Sequence, residues 1–168
     1  MGLYFMRILI AEDDRTARLA LEGILKKNGY EVIAVSNGKE AWQVMQGEDP
    51  PPLAIVDWMM PEMKGVEFCR KVRESADLNF TYIILLTSKR QKVEFVTGLE
   101  SGADDYIRKP FDREELLARL RAAERIIKLQ SSLATQVREL NQALSTIKTL
   151  QGNQRFEPIF TKEEQRQD

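Results

Sequence analysis

Histidine is absent from all 168 residues of this chain. Acid–base catalysis by imidazole, zinc ligation by histidine and a phosphohistidine on this chain are therefore excluded. Cysteine occurs once, at Cys69, so an intramolecular disulfide is impossible and a reducing compartment is expected.

Long apolar runs and an excess of charge of one sign are also missing. A membrane-spanning helix needs about 18 or more apolar residues in succession, and the sequence has no such run, nor the basic-then-apolar start of a signal peptide. The 25 basic and 26 acidic residues nearly cancel, which gives no electrostatic reason to expect a nucleic acid or an anionic membrane as a partner. We therefore expect a cytoplasmic protein.

Five short apolar runs predict the strands of a buried sheet. They are Met6–Ala11, Glu31–Val35, Leu53–Val56, Tyr82–Leu86 and Asp105–Ile107. The first, third and fourth are continuous rather than alternating, which is typical of strands covered on both faces by helices. Stretches with helical spacing follow the first four strands, at Thr16–Asn28, Gly38–Gln46, Gly65–Ser75 and Lys92–Ser101. This alternation predicts an α/β fold with a doubly wound parallel sheet of five strands.

The last predicted helix is unusually long. It begins near Asp112, and neither proline nor glycine occurs between Arg113 and Gln151. A helix of about 40 residues would be about 60 Å long, too long to lie against one small domain. Spacings of four and three fit the d and a positions of a coiled coil, in the series Ile126, Gln130, Leu133, Val137, Leu140, Leu144 and Ile147.

These patterns divide the chain into three parts. We expect a globular domain over residues 6–124, a helical, coiled-coil extension over 125–151 that continues the last helix of the domain, and an unstructured polar tail over 152–168. An amphipathic helix folded back on a neighbouring helix is the alternative for the extension, because the heptad spacing covers only about three heptads.

Polar residues follow the predicted strands at the end of the sheet where open parallel sheets bind their ligands. Asp13 and Asp14 follow the first strand, Asp57 follows the third, Thr87 the fourth and Lys109 the fifth. With the strand order 2-1-3-4-5, the three carboxylates would converge in one crevice and the other two residues would line its rim. Each residue alone has a plainer interpretation as a cap, turn or strand residue. The five together favour a chemical site.

Three clustered carboxylates repel one another unless a cation lies between them. Mg²⁺ is suited to this place, because it takes oxygen ligands and prefers sites that it shares with a phosphate. One carboxylate could then act as a nucleophile and form an acyl phosphate, with a lysine and a threonine contacting the phosphoryl oxygens. The pattern therefore indicates phosphoryl transfer.

Four segments in order resemble the receiver domain of bacterial two-component response regulators. They are Ile8–Asp14 (ILIAEDD), Ile55–Gly65 (IVDWMMPEMKG), Leu85–Ser88 (LLTS) and Gly102–Phe111 (GADDYIRKPF). The resemblance runs from Arg7 to about Glu124 and implies a flavodoxin-like sheet with the strand order 2-1-3-4-5.

The resemblance implies a role for each site residue. Asp57 would accept a phosphoryl group from a histidine kinase or a phosphotransfer protein. Asp13, Asp14, Asp57 and the backbone carbonyl of Met59 would hold Mg²⁺. Lys109 would contact the phosphoryl group, and the bond from Lys109 to Pro110 would be cis.

A switch is implied as well. Thr87 would turn to the phosphoryl group while Tyr106 swings inward, which would bias the surface formed by the fourth helix, fifth strand and fifth helix. The protein would be a signalling switch that catalyses only its own phosphorylation and dephosphorylation.

The output of such a switch stays open at this point. Leu133–Gly152 resembles the signalling helices that join receivers to output domains, and no output-domain motif follows it. One hypothesis is a phosphorylation-dependent interaction switch that forms a homodimer through the C-terminal helix. The others are a phosphate-independent dimeric adaptor and a fragment of a longer regulator.

Overall fold

Five parallel strands form one sheet in the order β2-β1-β3-β4-β5. The computed structural model describes residues 6–88 and 100–153, with side chains described through residue 150. The strands are β1 (Arg7–Ala11), β2 (Glu31–Val35), β3 (Leu53–Asp57), β4 (Tyr82–Thr87) and β5 (Asp105–Arg108). The predicted fold class and strand order are confirmed. β3 and β4 each end one residue later than predicted, so that Asp57 and Thr87 belong to the strands themselves.

The continuous apolar runs of β1, β3 and β4 lie between two separate cores. Every residue of β3 and β4 is buried, and because successive side chains of a strand point to opposite faces, each strand contributes to both cores. One core contains Leu9, Ala11, Ala54, Val56, Ile83 and Leu85. The other contains Ile8, Ile10, Leu53, Ile55, Ile84 and Leu86.

Helices cover both faces of the sheet. They are α1 (Arg15–Lys27), α2 (Gly38–Met45), α3 (Gly65–Glu74) and the C-terminal helix (Arg113–Asn153). The first core is closed by α2 and α3, and the second by α1 and the start of the C-terminal helix. The predicted helix Lys92–Ser101 lies outside the described residues except for its last two positions.

The C-terminal helix is continuous from Arg113 to Asn153, as its sequence predicts. Leu116, Leu120 and Ala123 are fully buried in the second core. The chain divides into two units between Gln130 and Ser131, and residues 131–150 are exposed throughout. Because the helix is continuous across residues 124 and 125, the predicted domain limit at that point stays a prediction. The tail beyond 153 lies outside the described residues, and no helix of the described part is long and apolar enough to cross a membrane.

Arg73, in the last turn of α3, ties this helix to the segments on either side of β4. Its guanidinium donates to the carbonyl oxygens of Asn79, Thr81 and Gly102 at 2.7–2.9 Å, and to Asp104 Oδ2 at 2.6 Å. Three of these acceptors are backbone groups that a shorter side chain does not reach. The arginine therefore fixes the loops that lead into β4 and β5.

We predict that Arg73→Met lowers the free energy of unfolding by about 3 kcal/mol, because it removes four hydrogen bonds that are each worth about 1 kcal/mol. Arg70→Met, at an exposed position of the same helix, is the matched control and should change stability by less than about 0.5 kcal/mol. Urea denaturation measures both. Equal free energies of unfolding for the two variants would contradict the stabilising role of the Arg73 hydrogen bonds.

Candidate functional site

Asp57 lies at the carboxyl end of β3, between β1 and β4. The loop after it is held by two backbone hydrogen bonds, from Trp58 N–H to Leu86 O at 2.8 Å and from Gly65 N–H to Trp58 O at 3.0 Å. Only glycine fits at position 65, because a Cβ there would lie 2.4 Å from the carbonyl oxygen of Asp57. The start of α3 is therefore packed directly against the backbone of Asp57.

Three carboxylates meet at this end of the sheet. One oxygen from each of Glu12, Asp13 and Asp57 lies within 4.8 Å of the others. Glu12 and Asp57 are buried, whereas Asp13 is exposed and leaves the group open to solvent. A set of oxygen donors with an open side fits a hard divalent cation such as Mg²⁺, which keeps several of its waters.

Lys109 is the ammonium group that contacts this cluster. Its Nζ donates to Asp57 Oδ2 at 2.7 Å and to Glu12 Oε2 at 2.5 Å. Its backbone N–H donates to Thr87 O at 2.8 Å, and the bond to Pro110 is cis, as the resemblance implies. The lysine is thus anchored to the end of β4 and reaches across to the ends of β1 and β3.

The pKa values of Glu12 and Lys109 are both raised above their ordinary values. Burial raises the pKa of Glu12, and repulsion from Asp57 adds to it, while the hydrogen bond from Lys109 opposes it. Burial lowers the pKa of Lys109, but its hydrogen bonds to Asp57 and Glu12, together with the negative charges of these two residues, outweigh burial, so that its pKa is raised. Both shifts favour retaining a proton. Three carboxylates are therefore balanced by only one ammonium group in this cluster, and a bound cation would supply the further positive charge.

Asp14, which was predicted from the sequence as a metal ligand, is not part of this carboxylate group. Its Oδ1 accepts the backbone N–H of Ala17 at 2.7 Å, and the residue is the N-cap of α1. The third member of the carboxylate group is Glu12, which was not predicted from the sequence as a metal ligand. A signal for this was available, because an aspartate directly before a helix is a preferred cap, which leaves the two preceding acidic residues for the crevice.

Three further residues were predicted for the site, namely Thr87, Met59 and Tyr106. Thr87 ends β4 and is buried. The backbone N–H of Met59 lies 3.4 Å from Asp57 Oδ1, and the Met59 side chain is half exposed. Tyr106 is a partly buried residue of β5, with the guanidinium carbon of Arg119 6.0 Å from its ring centre. The structure therefore brings Asp57, Thr87, Lys109 and Met59 to one end of the sheet.

A doubly wound parallel sheet with a carboxylate cluster at its switch point defines an α/β protein with a cation-binding cleft. The family model of the response regulator receiver domain matches residues 8–121, and the chain belongs to this family. It is the receiver domain of a two-component response regulator, a signalling protein.

Individual relatives agree with this membership. The chain is 43% identical over 129 residues to the response regulator MprA of Mycobacterium ulcerans, which covers 77% of this chain and 54% of that protein. The chain thus spans about half the length of the curated relatives that it matches.

Solved structures share the fold. The receiver domain of a signal transduction histidine kinase from Syntrophus aciditrophicus has a TM-score of 0.65 and 37% identity, covering 73% of this chain and 89% of that one. The receiver domain of the sensor histidine kinase PA1611 from Pseudomonas aeruginosa has a TM-score of 0.64 and 27% identity, covering 74% and 98%. The latter has a magnesium ion coordinated in its active-site cleft.

We predict that Lys109→Met lowers the free energy of unfolding by about 2–3 kcal/mol at neutral pH in the presence of a chelator. The variant leaves Glu12 and Asp57 buried without their cation, and removing one partner of a buried ion pair is strongly destabilising. Lys39→Met, which removes an exposed lysine paired with Glu62 at 3.6 Å, is the control and should cost less than about 1 kcal/mol.

The same variant has a predicted pH dependence. The pKa of Glu12 is raised in the folded state, so the folded protein binds this proton more tightly than the unfolded chain does. The resulting contribution to the free energy of unfolding is fully present below the ordinary pKa of about 4.5 and is lost as pH rises through the raised pKa. The deficit of Lys109→Met should therefore shrink as pH falls toward this range. Urea denaturation at several pH values measures it, and a deficit that does not change with pH would contradict charge repulsion as its cause.

Proposed function

We propose that Asp57 is the phosphoryl acceptor and that it receives the group from the phosphohistidine of a histidine kinase or a phosphotransfer protein. The observation that carries this proposal is the contact between Lys109 Nζ and Asp57 Oδ2 inside a group of three carboxylates. Mg²⁺ would be held by Asp13, Asp57 and Glu12, with the backbone carbonyl of Met59 as a further ligand. Glu12 thus replaces Asp14 in the ligand set.

The transfer uses Asp57 as the nucleophile. A carboxylate oxygen of Asp57 forms a bond to phosphorus while the bond between phosphorus and the donor's imidazole nitrogen breaks, and the leaving imidazole takes up a proton. Mg²⁺, when bound, neutralises the charge on the transferring group. Lys109 is placed to exchange its contact with Asp57 for a contact with a phosphoryl oxygen, since its backbone is fixed to Thr87.

The proposed switch begins at Thr87, the last residue of β4, which is the strand paired with the acceptor strand β3. A phosphoryl group on Asp57 would draw this hydroxyl toward it and make room for the Tyr106 ring to move inward. Arg119, whose guanidinium lies over that ring and pairs with Asp105 at 2.7 Å, would be displaced. The C-terminal helix carries Arg119, so the change would be transmitted to that helix.

The proposed output is pairing of two C-terminal helices. Beyond the buried segment, the helix exposes apolar side chains at heptad spacing, each between 40% and 61% exposed: Ile126, Leu133, Val137, Leu140, Leu144 and Ile147. Two such helices would bury these side chains against each other in a coiled coil. The second candidate is an adaptor whose helices pair in the same way without regard to phosphorylation, and the same exposed face supports it.

We predict that incubation with Mg²⁺ and acetyl phosphate adds one phosphoryl mass to the wild type and none to Asp57→Asn. Asp77→Asn, which changes an exposed carboxylate at the other end of the sheet, is the control and should be modified like the wild type. Intact-protein mass spectrometry measures the adduct. Modification of Asp57→Asn, or of none of the three proteins, would overturn the proposed acceptor.

We also predict that the wild type sediments as a dimer and that the double variant Val137→Gln/Leu144→Gln sediments as a monomer, because it removes two apolar contacts from the centre of the proposed interface. Thr135→Gln/Thr149→Gln places the same residue off this face and should stay dimeric. Analytical ultracentrifugation with and without beryllofluoride separates the two candidates. Identical oligomers and identical helix packing in both states would favour the phosphate-independent adaptor.

A further inference from the structure

Arg18, in the second turn of α1, holds the backbone of the two acidic residues that follow β1. Its Nη1 donates to the carbonyl oxygen of Glu12 at 2.6 Å and to the carbonyl oxygen of Asp13 at 3.3 Å. The side chain is partly buried. Glu12 and Asp13, whose carbonyl oxygens accept these hydrogen bonds, are two of the three residues whose carboxylates form the group described above.

Helix stability does not account for an arginine at this position. The N-terminal end of a helix carries a partial positive charge and favours acidic residues, but the first turn of α1 contains none and begins with Arg15. Arg18 follows in the next turn, so its charge opposes the helix dipole. The favourable interactions of Arg18 therefore come from the segment that precedes the helix.

Three sets of hydrogen bonds restrain the segment around Glu12. The Glu12 N–H donates to Val35 O at 3.2 Å, and the Asp14 N–H donates to Glu12 Oε1 at 3.3 Å. Arg18 supplies the third restraint, on the carbonyl oxygens.

We propose that Arg18 is a positioning residue that fixes the carboxylates of Glu12 and Asp13 in the geometry that a divalent cation needs. This inference rests on the proposed function of the cleft as a Mg²⁺ site. Residues that orient metal ligands without touching the metal commonly change metal affinity by about tenfold or more when they are replaced. Arg18 restrains two of the three carboxylate residues at once, which gives it such a role.

The test is a Mg²⁺ titration of the full chain, followed by tryptophan emission because Trp58 is adjacent to Asp57. Arg18→Met keeps an unbranched stem but removes the charge and all donors, whereas Arg18→Lys keeps the charge and a donor that reaches one carbonyl. Arg15→Met is the matched control, since it removes the same charge from an exposed position of the first turn. Thermal melts with a chelator establish that each variant is folded at the titration temperature.

We expect Arg18→Met to bind Mg²⁺ about tenfold more weakly than the wild type, Arg18→Lys to recover part of the loss, and Arg15→Met to bind within about twofold. If Arg18→Met does not fold, Arg18→Lys decides the question, with a loss of about threefold expected for one hydrogen bond.

A wild type that binds Mg²⁺ beside Arg18 variants of unchanged affinity would overturn the positioning role alone. Tighter binding by Arg18→Met would also overturn it and show that the arginine acts only by repelling the cation. A wild type that does not bind Mg²⁺ would overturn the proposed function itself.

Discussion

The mutual repulsion of three carboxylates, held in check by one lysine, is the constraint on which the rest of this structure depends. Two of the carboxylates, Glu12 and Asp57, are buried, and a buried charge is costly unless it is paired. Lys109 reaches both of them from β5. The cluster therefore exists only while β1, β3 and β5 keep their places, and the sheet provides the rigidity for this.

That rigidity comes from burial on both faces of the sheet. β3 and β4 are buried at every residue, and a strand with helices on both sides cannot slip by one residue without exchanging the members of its two cores. The register therefore fixes which residue stands at each strand end. Asp57 beside Leu86, and Thr87 beside Arg108, are consequences of this register.

The fold was largely predictable because continuous apolar runs, helix stops and the alternation of elements all indicate the same architecture. The placement of Asp57, Thr87 and Lys109 at one end of the sheet was predictable, since each stands at or directly after the end of a strand that the apolar pattern locates. Asp14 was predicted as a member of the cluster, whereas the structure has Glu12 there and Asp14 as the N-cap of α1. Three consecutive acidic residues differ only in where the strand ends and the helix begins, and the N-cap bond to Ala17 decides this.

The role of Arg18 lay beyond prediction for a related reason. Its contacts are to backbone carbonyl oxygens. Because every residue has a backbone carbonyl, the sequence does not indicate which of them an arginine will bind. Arg73 is a second example, with three of its four acceptors on the backbone. Arginines that bind backbone groups therefore look like surface residues until the chain is folded.

The C-terminal helix shows how far a repeat alone can specify a partner. In two-stranded coiled coils, charges at the flanking e and g positions choose the partner and its orientation. Here the e and g positions include Ile127, Leu129, Ala134 and Ala143, and Lys148 is the only charged residue among the e and g positions within 126–150. Because such a face is wide and apolar, it stabilises association without selecting among partners.

In the proposed dimer, selectivity and control must then come from the receiver domain. The receiver holds the first turns of the same helix through Leu116, Leu120 and Ala123, so the proposed change at Tyr106 and Arg119 would act on the helix before the segment that is proposed to pair.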